Sequence, residues 1–454
     1  MKKKERKIEI NNAKKRHEKD LKRLKLKNGS KPSKELSNFQ FKSLSKKSFS
    51  AFNRFMNEKE ITTNAIFNDG NLKVSEKFSF VIDFDKTMLF FDKLNYLFYN
   101  SKEKIEINFE FCEHISISAA SFLQIIIMQY ERLQDKYNST GYSKLYRKIR
   151  IRRSKNIEVN KMLCALEIID GMNNDEDVND ITYLPLGLKV FLKERKNYKE
   201  NKKGRTCDDI IGFVNSSIQG LGFELNFRAK KSLSNLFSEI LGNAEDHTKL
   251  NEYYVNGVSF KEDKSKDDAL VELNLTIINL GYSIYEGFEK TKQDNFLVIN
   301  KMKKFYDLHE KEIKLLKVSS ADKNYNEESL FTLYALQEGI SRIKYVDDSR
   351  GNGTMNFINA FMKLGEFGDD NSEFESKLNV ISGHTVIECT NKYKPYSDGT
   401  NFVLSLNKEK DIKKLPDRKC IFVAKNYFPG TILQVKIYMN KKYFIKIINN
   451  KDEK

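Results

Sequence analysis

The chain contains no tryptophan, no uninterrupted apolar run of the roughly 18 residues that a membrane helix requires, and no Cys-x-x-Cys pair. The longest apolar candidate, Ala119 to Tyr130, is short and carries Gln124, so no membrane span is expected. Positive charge near residue 1 is not followed by an apolar segment, so no secretory leader is expected either. Cys112, Cys164, Cys207, Cys389 and Cys420 form an odd, widely scattered set. They read as reduced thiols of a cytoplasmic protein. The missing tryptophan goes with scarce arginine and heavy use of Lys, Asn and Ile, as in an AT-rich coding sequence, which bears on origin and not on mechanism.

What is present is apolar residue enough for two or three cored domains: 39% of 454 residues are hydrophobic and 12% aromatic. The net charge of +17 is unevenly placed. Residues 1–50 hold 18 Lys/Arg against 5 Asp/Glu, a balance of +13, which leaves +4 for everything after them. Residues 1–60 are therefore expected to form a basic, flexible arm. Leu21, Leu24 and Leu26 give it too little apolar surface to fold alone, and Asn28-Gly-Ser-Lys-Pro32 breaks its short helical stretch. Such an arm could hold nucleic acid or an acidic partner through charge, although a solvated extension is the plainer expectation.

From about Phe78 to Leu192, strand-like and helix-like stretches alternate. Phe78–Phe84 and Ile105–Phe111 carry strand patterning, Ile149–Arg152 a weaker version, and Ala119–Tyr137 reads as a helix. Together they predict a modest α/β layer over residues 70–200. The polar, glycine-containing Asn201–Thr206 reads as a linker to a unit spanning 207–445.

That unit is organised around Lys231–His247. At about 100° per residue, Leu233, Leu236, Phe237, Ile240, Leu241 and Ala244 share one apolar arc, while Glu239, Asn243 and Asp246 line a separate polar stripe. A helix of this kind packs on a sheet and offers an amide and a carboxylate to a cleft. Asn243 could ligate a hard cation such as Mg²⁺, and Glu239 could orient or deprotonate a nucleophile. Strands are expected at Tyr253–Phe260 and Leu270–Ile278, the latter running into Asn279-Leu-Gly-Tyr-Ser283, and later at Asn379–Gly383, Phe402–Leu406 and Thr431–Tyr438. Between them, Gly351 and Gly353 precede an amphipathic run, where backbone N–H groups could approach phosphate oxygens.

The order of these motifs resembles the GHKL superfamily of Bergerat-fold ATPases, whose members include gyrase B, mismatch-repair ATPases, histidine kinases and anti-sigma kinases. Glu239, Asn243 and Asp246 match its N-box; Asn279, Gly281 and Ser283 stand at its D-x-G-x-G box; Gly351, Gly353 and Thr354 stand at the later glycine box, and Gly430 and Thr431 at the terminal strand. The resemblance implies a Bergerat-type α+β sandwich, a mixed sheet with helices on one face, binding ATP and Mg²⁺. It implies Asn243 for the metal and phosphates, Glu239 as the catalytic base, and Asn279 where the family has the adenine-binding Asp. Neutral Asn can donate as well as accept, so guanine is not excluded. The earlier stretch FEFCEHISISAASFLQIII resembles the helix entry of a STAS domain, with Ser118 at the position phosphorylated in partner switching, Ile117 in place of the family Asp, and Ala119 and Ala120 following; Ser118 reads first as a helix N-cap.

An ATPase or ATP-gated switch acting on an unidentified protein partner is the expected function, with the insertion between Gly281 and Gly351 as a lid. The resemblance makes a bacterial regulatory, stress or phage-defence setting an expectation, with a homodimer possible. The alternatives are an anti-sigma-type serine kinase and a non-catalytic nucleotide or nucleic-acid binder. A histidine kinase is disfavoured, because His17, His114, His247, His309 and His384 lack the phospho-acceptor context. Deleting residues 1–35 is expected to leave the remaining chain with an unchanged urea midpoint, and to flatten the salt dependence of nucleic-acid binding if the arm contributes it. Binding unchanged at every salt concentration would remove the arm from that role.

Overall fold

The computed structural model describes residues 70–100, 104–138, 149–170, 181–192, 202–262, 269–293, 295–315, 325–338, 340, 353–364, 374–397, 399 and 401–441. The arm 1–60 and Gly351 lie outside them. The chain is a mixed α/β protein with several sheets.

The first unit is built on short parallel strands. β1 (Asn71–Lys73), β3 (Ile105–Asn108) and β5 (Ile149–Arg152) form one sheet in the order β1-β3-β5, and β2 (Lys77–Phe78) pairs with β4 (His114–Ile115). Helices α1 (Phe84–Asn100), α2 (Ile117–Asn138) and α3 (Ile157–Ala165) connect and cover them. Two expected strands are shorter than their patterning suggested. After Phe78 the chain turns: Ser79 N–H donates to Thr87 Oγ1 at 3.0 Å, Asp83 Oδ1 accepts from Lys86 N, and Phe84 opens a helix. The second stops at Asn108, whose side chain accepts Glu110 N–H at 2.9 Å. Local side-chain bonds of this kind compete with the ladder and end it.

The second sheet is larger and wholly antiparallel in its recorded pairs, in the order β10-β13-β9-β8-β6. It comprises β6 (Ile181–Pro185), β8 (Thr248–Glu262), β9 (Leu270–Gly281), β10 (Lys377–Thr390) and β13 (Ile421–Asn440), with β7 (Lys189–Leu192) pairing the other half of β8. It therefore starts at residue 181, ahead of the expected linker. That linker is itself helical: α4 spans Lys202–Gln219, because Cys207, Ile210, Ile211 and Val214 supply a buried stripe that holds the polar first turn in place. Next come α5 (Phe227–His247), α6 (Ile284–Lys290), α7 (Phe296–Leu315), α8 (Glu327–Ala335) and α9 (Gly353–Leu364), and a small hairpin of β11 (Tyr396–Ser397) and β12 (Phe402–Val403). The strand expected over Phe402–Leu406 ends at Val403.

Both faces of this sheet are apolar, and both are covered. Val271, Leu273, Leu275 and Ile277 of β9 face a core shared with α4, α5 and α9, while Ile278 and Leu280 belong to a second core shared with α1 and α2. Phe428 of β13 enters a phenylalanine cluster of the first unit, its ring centroid 5.4 Å from Phe80 and 5.3 Å from Phe122. The expectation of a mixed sheet is thus corrected to an antiparallel one, while helices α4, α5 and α9 of the same unit lie on one face and the other face is covered by α1 and α2 of the first unit. Alternation at period two put apolar residues on both sides, and the second side recruited the N-terminal helices.

Gly430 lies at the join of β9 and β13 with φ +143°, and a Cβ there would fall 2.1 Å from the backbone oxygen of Asn279. Gly430→Ala is expected to destabilise the chain by about 2 kcal/mol or more, read as a lower urea midpoint. A midpoint equal to the parent's would show that the two strands do not need this close approach.

Candidate functional site

Helix α5 starts where Asn226 accepts Ala229 N–H at 2.9 Å, and its apolar arc, Leu233, Phe237, Ile240, Leu241 and Ala244, lies buried against the sheet. Glu239, Asn243 and Asp246 remain exposed on its other side. Partial desolvation by the surrounding protein raises the Glu239 carboxyl above the ordinary glutamate range. Asn243 Nδ2 lies 3.5 Å from Thr354 Oγ1, in the first turn of α9. The ring centroids of Phe237 and Phe357 are 6.0 Å apart beneath that contact and hold the two helices together. The N-terminus of α9, opening at Gly353, therefore sits beside Asn243.

The apolar series 271, 273, 275, 277 on the α5 side of β9 ends in a polar residue, Asn279, which is 4% exposed. In register beside it stand Thr431 of β13 and, beyond that, Ser382 of β10. The three make a polar row across three strands at the end of an otherwise apolar face. Asn279 Oδ1 accepts Thr431 N–H at 2.9 Å, and its Nδ2 donates to the carbonyl of Ala244 on α5 at 3.4 Å. Thr431 Oγ1 and Ser382 Oγ are 2.9 Å apart, and Ser382 Oγ accepts Ile284 N–H at 2.8 Å. Each bond fixes the next: the helix carbonyl orients the amide, the amide holds the strand backbone, and the serine ties the row to α6. After these two bonds Asn279 keeps one lone pair on Oδ1 and one hydrogen on Nδ2.

Of the residues singled out from the sequence, Asn279 and Thr431 meet directly and Asn243 meets Thr354. Gly281 is buried and pairs in register with Thr248, whose hydroxyl donates to Leu280 O at 2.9 Å. Ser283 is an N-cap: its Oγ accepts Glu286 N–H, and the Glu286 carboxylate accepts Ser283 N–H in return, a capping box that opens α6. Ser382 was missed. Its one sequence signal was a polar residue following the apolar alternation Leu378, Val380, but the strand register that sets it beside Thr431 is not written in either segment.

Helices α6, α7 and α8 pack on a core of their own, with Phe288, Met302, Leu330, Phe331 and Tyr334 buried, and α8 rests on β10. Inside it His309 is fully buried against the Tyr334 hydroxyl, and burial holds its pKa below the usual histidine range. Ser118 is also fully buried, but on the opposite side of the large sheet, where its backbone N–H donates to Gln434 Oε1 at 3.3 Å and its hydroxyl reaches the same oxygen. Glu239 and Ser118 thus have the sheet between them.

No protein-family model matches this chain, and no curated protein or solved structure shows significant similarity to it.

Asn279→Ala removes both the Thr431 N–H acceptor and the Ala244 donor, and is expected to destabilise the chain by about 1–3 kcal/mol in urea unfolding. An effect below about 0.5 kcal/mol would mean that the row is solvated rather than part of the packed structure.

Proposed function

We propose that the chain is an ATP-binding protein of the Bergerat type, an ATPase or ATP-gated switch, in which a STAS-like first unit is docked on the back of the ATP-binding sheet. The observation that carries this reading is the polar row Asn279, Thr431 and Ser382 beneath the Ala244 carbonyl, at the end of a face that is otherwise apolar. The two hydrogen-bonding positions left on the Asn279 amide match an acceptor and a donor on one edge of adenine, and the apolar residues around them suit its faces.

From that base position the chain would proceed toward α9. Asn243 supplies the oxygen for Mg²⁺, Gly353 and Thr354 offer the first backbone N–H groups and the positive end of α9 to phosphate oxygens, and Asp246 stands one turn beyond Asn243 on the same stripe. Glu239, one turn earlier, is the candidate general base for water. Its pKa, raised by partial burial, brings its basicity closer to what proton abstraction requires. The helical module α6–α8, tied to the row through Ile284 and Ser382, is the part able to report an occupied site to a partner protein.

A serine kinase acting on Ser118 within its own chain is disfavoured by burial of that hydroxyl on the far side of the sheet. A kinase acting on another chain is distinguished by incubation with γ-labelled ATP and a candidate acceptor.

The test is calorimetric titration with ATP, ADP and GTP, with and without Mg²⁺, beside turnover. Asn243→Ala should abolish the Mg²⁺-dependent part of binding. Glu239→Ala should keep ATP binding within about threefold and lower turnover by about a hundredfold or more. A base with a raised pKa is protonated as pH falls through that value, so turnover should decline on the acid side at a pH above the ordinary glutamate range, and Glu239→Gln should remove that limb. Equal, mild effects of both substitutions on binding and turnover would overturn the assignment.

A further inference from the structure

A second concave surface lies between the outer sides of α4 and α5. It encloses about 470 Å³ and is lined by Asp208 and Asn215 of α4 and by Phe227, Lys230, Lys231 and Asn235 of α5. Along α5 its lining runs from Phe227 to Asn235, which stands four residues, about 6 Å at helical rise, before Glu239, so the groove occupies the stretch of the helix next to the proposed nucleotide cleft and contains none of the residues assigned to it.

Three features of the groove are costly or idle unless something binds there. Phe227 opens α5 with 80% of its surface exposed, whereas Leu233, Phe237, Ile240 and Leu241 of the same helix are buried. Arg228, Lys230 and Lys231 crowd the start of a helix that has no acid in its first turn, so their charges oppose the helix dipole. Lys230 is partnered by Glu224 at 3.0 Å, but among the described residues neither Arg228 nor Lys231 has an ion pair. Gly212 on α4 leaves the groove open: nothing lies within 4 Å of where its Cβ would be.

The walls also differ in hydrogen-bonding character. Asn215 Oδ1 is engaged by Leu225 N–H at 2.9 Å, which turns its amide nitrogen into the available donor. Asp208 supplies an acceptor on the α4 side, while its neighbour Asp209 is drawn off by Lys189 at 3.3 Å. An aromatic ring and the unpaired Lys231, with an amide donor and a carboxylate acceptor lining the same groove, match a base, its phosphate and, in RNA, the ribose 2′-hydroxyl. A run of acidic side chains would satisfy Lys231 but offers no ring for Phe227 to stack on.

We propose that this groove binds single-stranded nucleic acid, with one base stacked on Phe227 and the adjoining phosphate held by Lys231. The folded part of the chain then carries its own nucleic-acid contact, beside whatever residues 1–50 add through charge alone.

The experiment is fluorescence anisotropy of the full chain with labelled twelve-residue oligo-dT and oligo-U over a range of salt. The basic arm is retained in every variant. Phe227→Ala, which removes an exposed ring and leaves the core alone, should weaken binding about five- to a hundredfold. Gly212→Leu should weaken it comparably by filling the groove. Lys231→Gln should lower the slope of log affinity against log salt by about 0.7. ATP binding should be unchanged in all three. Oligonucleotide binding that equals the parent's in both Phe227→Ala and Gly212→Leu would overturn the proposal, leaving any binding to the arm. Absence of binding by the parent, or displacement of the oligonucleotide by polyglutamate at equal charge concentration, would overturn it too, the latter by making the groove a surface for acidic peptides. Loss of ATP binding alongside oligonucleotide binding would overturn the separateness of the two sites.

Discussion

The large antiparallel sheet has to bury two apolar faces, and most of the remaining structure answers that requirement. Along β9 the odd positions from Val271 to Ile277 face α4, α5 and α9, and Ile278 and Leu280 face the opposite way. One helical layer from the same unit covers the first face. The second face would be an exposed apolar patch if α1 and α2 did not lie on it, and patches of that size are rarely left open to water. The N-terminal unit therefore adds to the principal fold by completing the core of the sheet.

The contact between the two units is polar as well as apolar. Gln124 accepts from Asn256 at 2.9 Å, Gln129 donates to Glu252 at 3.0 Å, Asp85 accepts from Asn426 N–H at 2.7 Å, and Ser118 meets Gln434. Partnered groups of this kind, half-buried or buried at the junction, fix how the units register on one another more than they add to net stability. On the opposite face the same logic operates at the row Asn279, Thr431 and Ser382. There Asn279 is buried beneath α5, bonded to the carbonyl of Ala244, and Ser382 is buried beneath α6, bonded to Ile284 N–H. A polar break in an apolar face is where a ligand can exchange hydrogen bonds without disturbing the core.

The row also explains how a site at the end of β9 connects to the helical module. Ser382 is bonded at once to Thr431 and to the first backbone N–H of α6, and the side chain of Glu328 on α8 accepts His384 N–H at 2.8 Å two residues further along β10. Burial raises the Glu328 carboxyl above its usual range. The module is thus fastened to the sheet at two points next to the polar row, while its helices share a core of their own around Phe331 and Tyr334.

The sequence by itself was sufficient for α5. Its period-3.6 apolar arc, the polar stripe Glu239, Asn243 and Asp246, and its packing on a sheet were all legible, because a helix writes its faces within one contiguous segment. The strands β8 and β9, the second half of β13 and the polarity of Asn279 were legible for the same local reason, whereas residues 421–430 of β13 were not expected as strand. Tertiary structure alone decided which strands neighbour which, and so which polar residues meet: Asn279 and Thr431 are 152 residues apart, and Ser382 enters only because β10 pairs with β13 in that register. It also decided that residues 202–206 would be helical, since Gly204 and a polar run look like a linker until Cys207, Ile210 and Ile211 are given a sheet to pack on. Local patterns record propensity and facing, whereas pairing across the chain depends on surfaces that exist only once the other elements have formed.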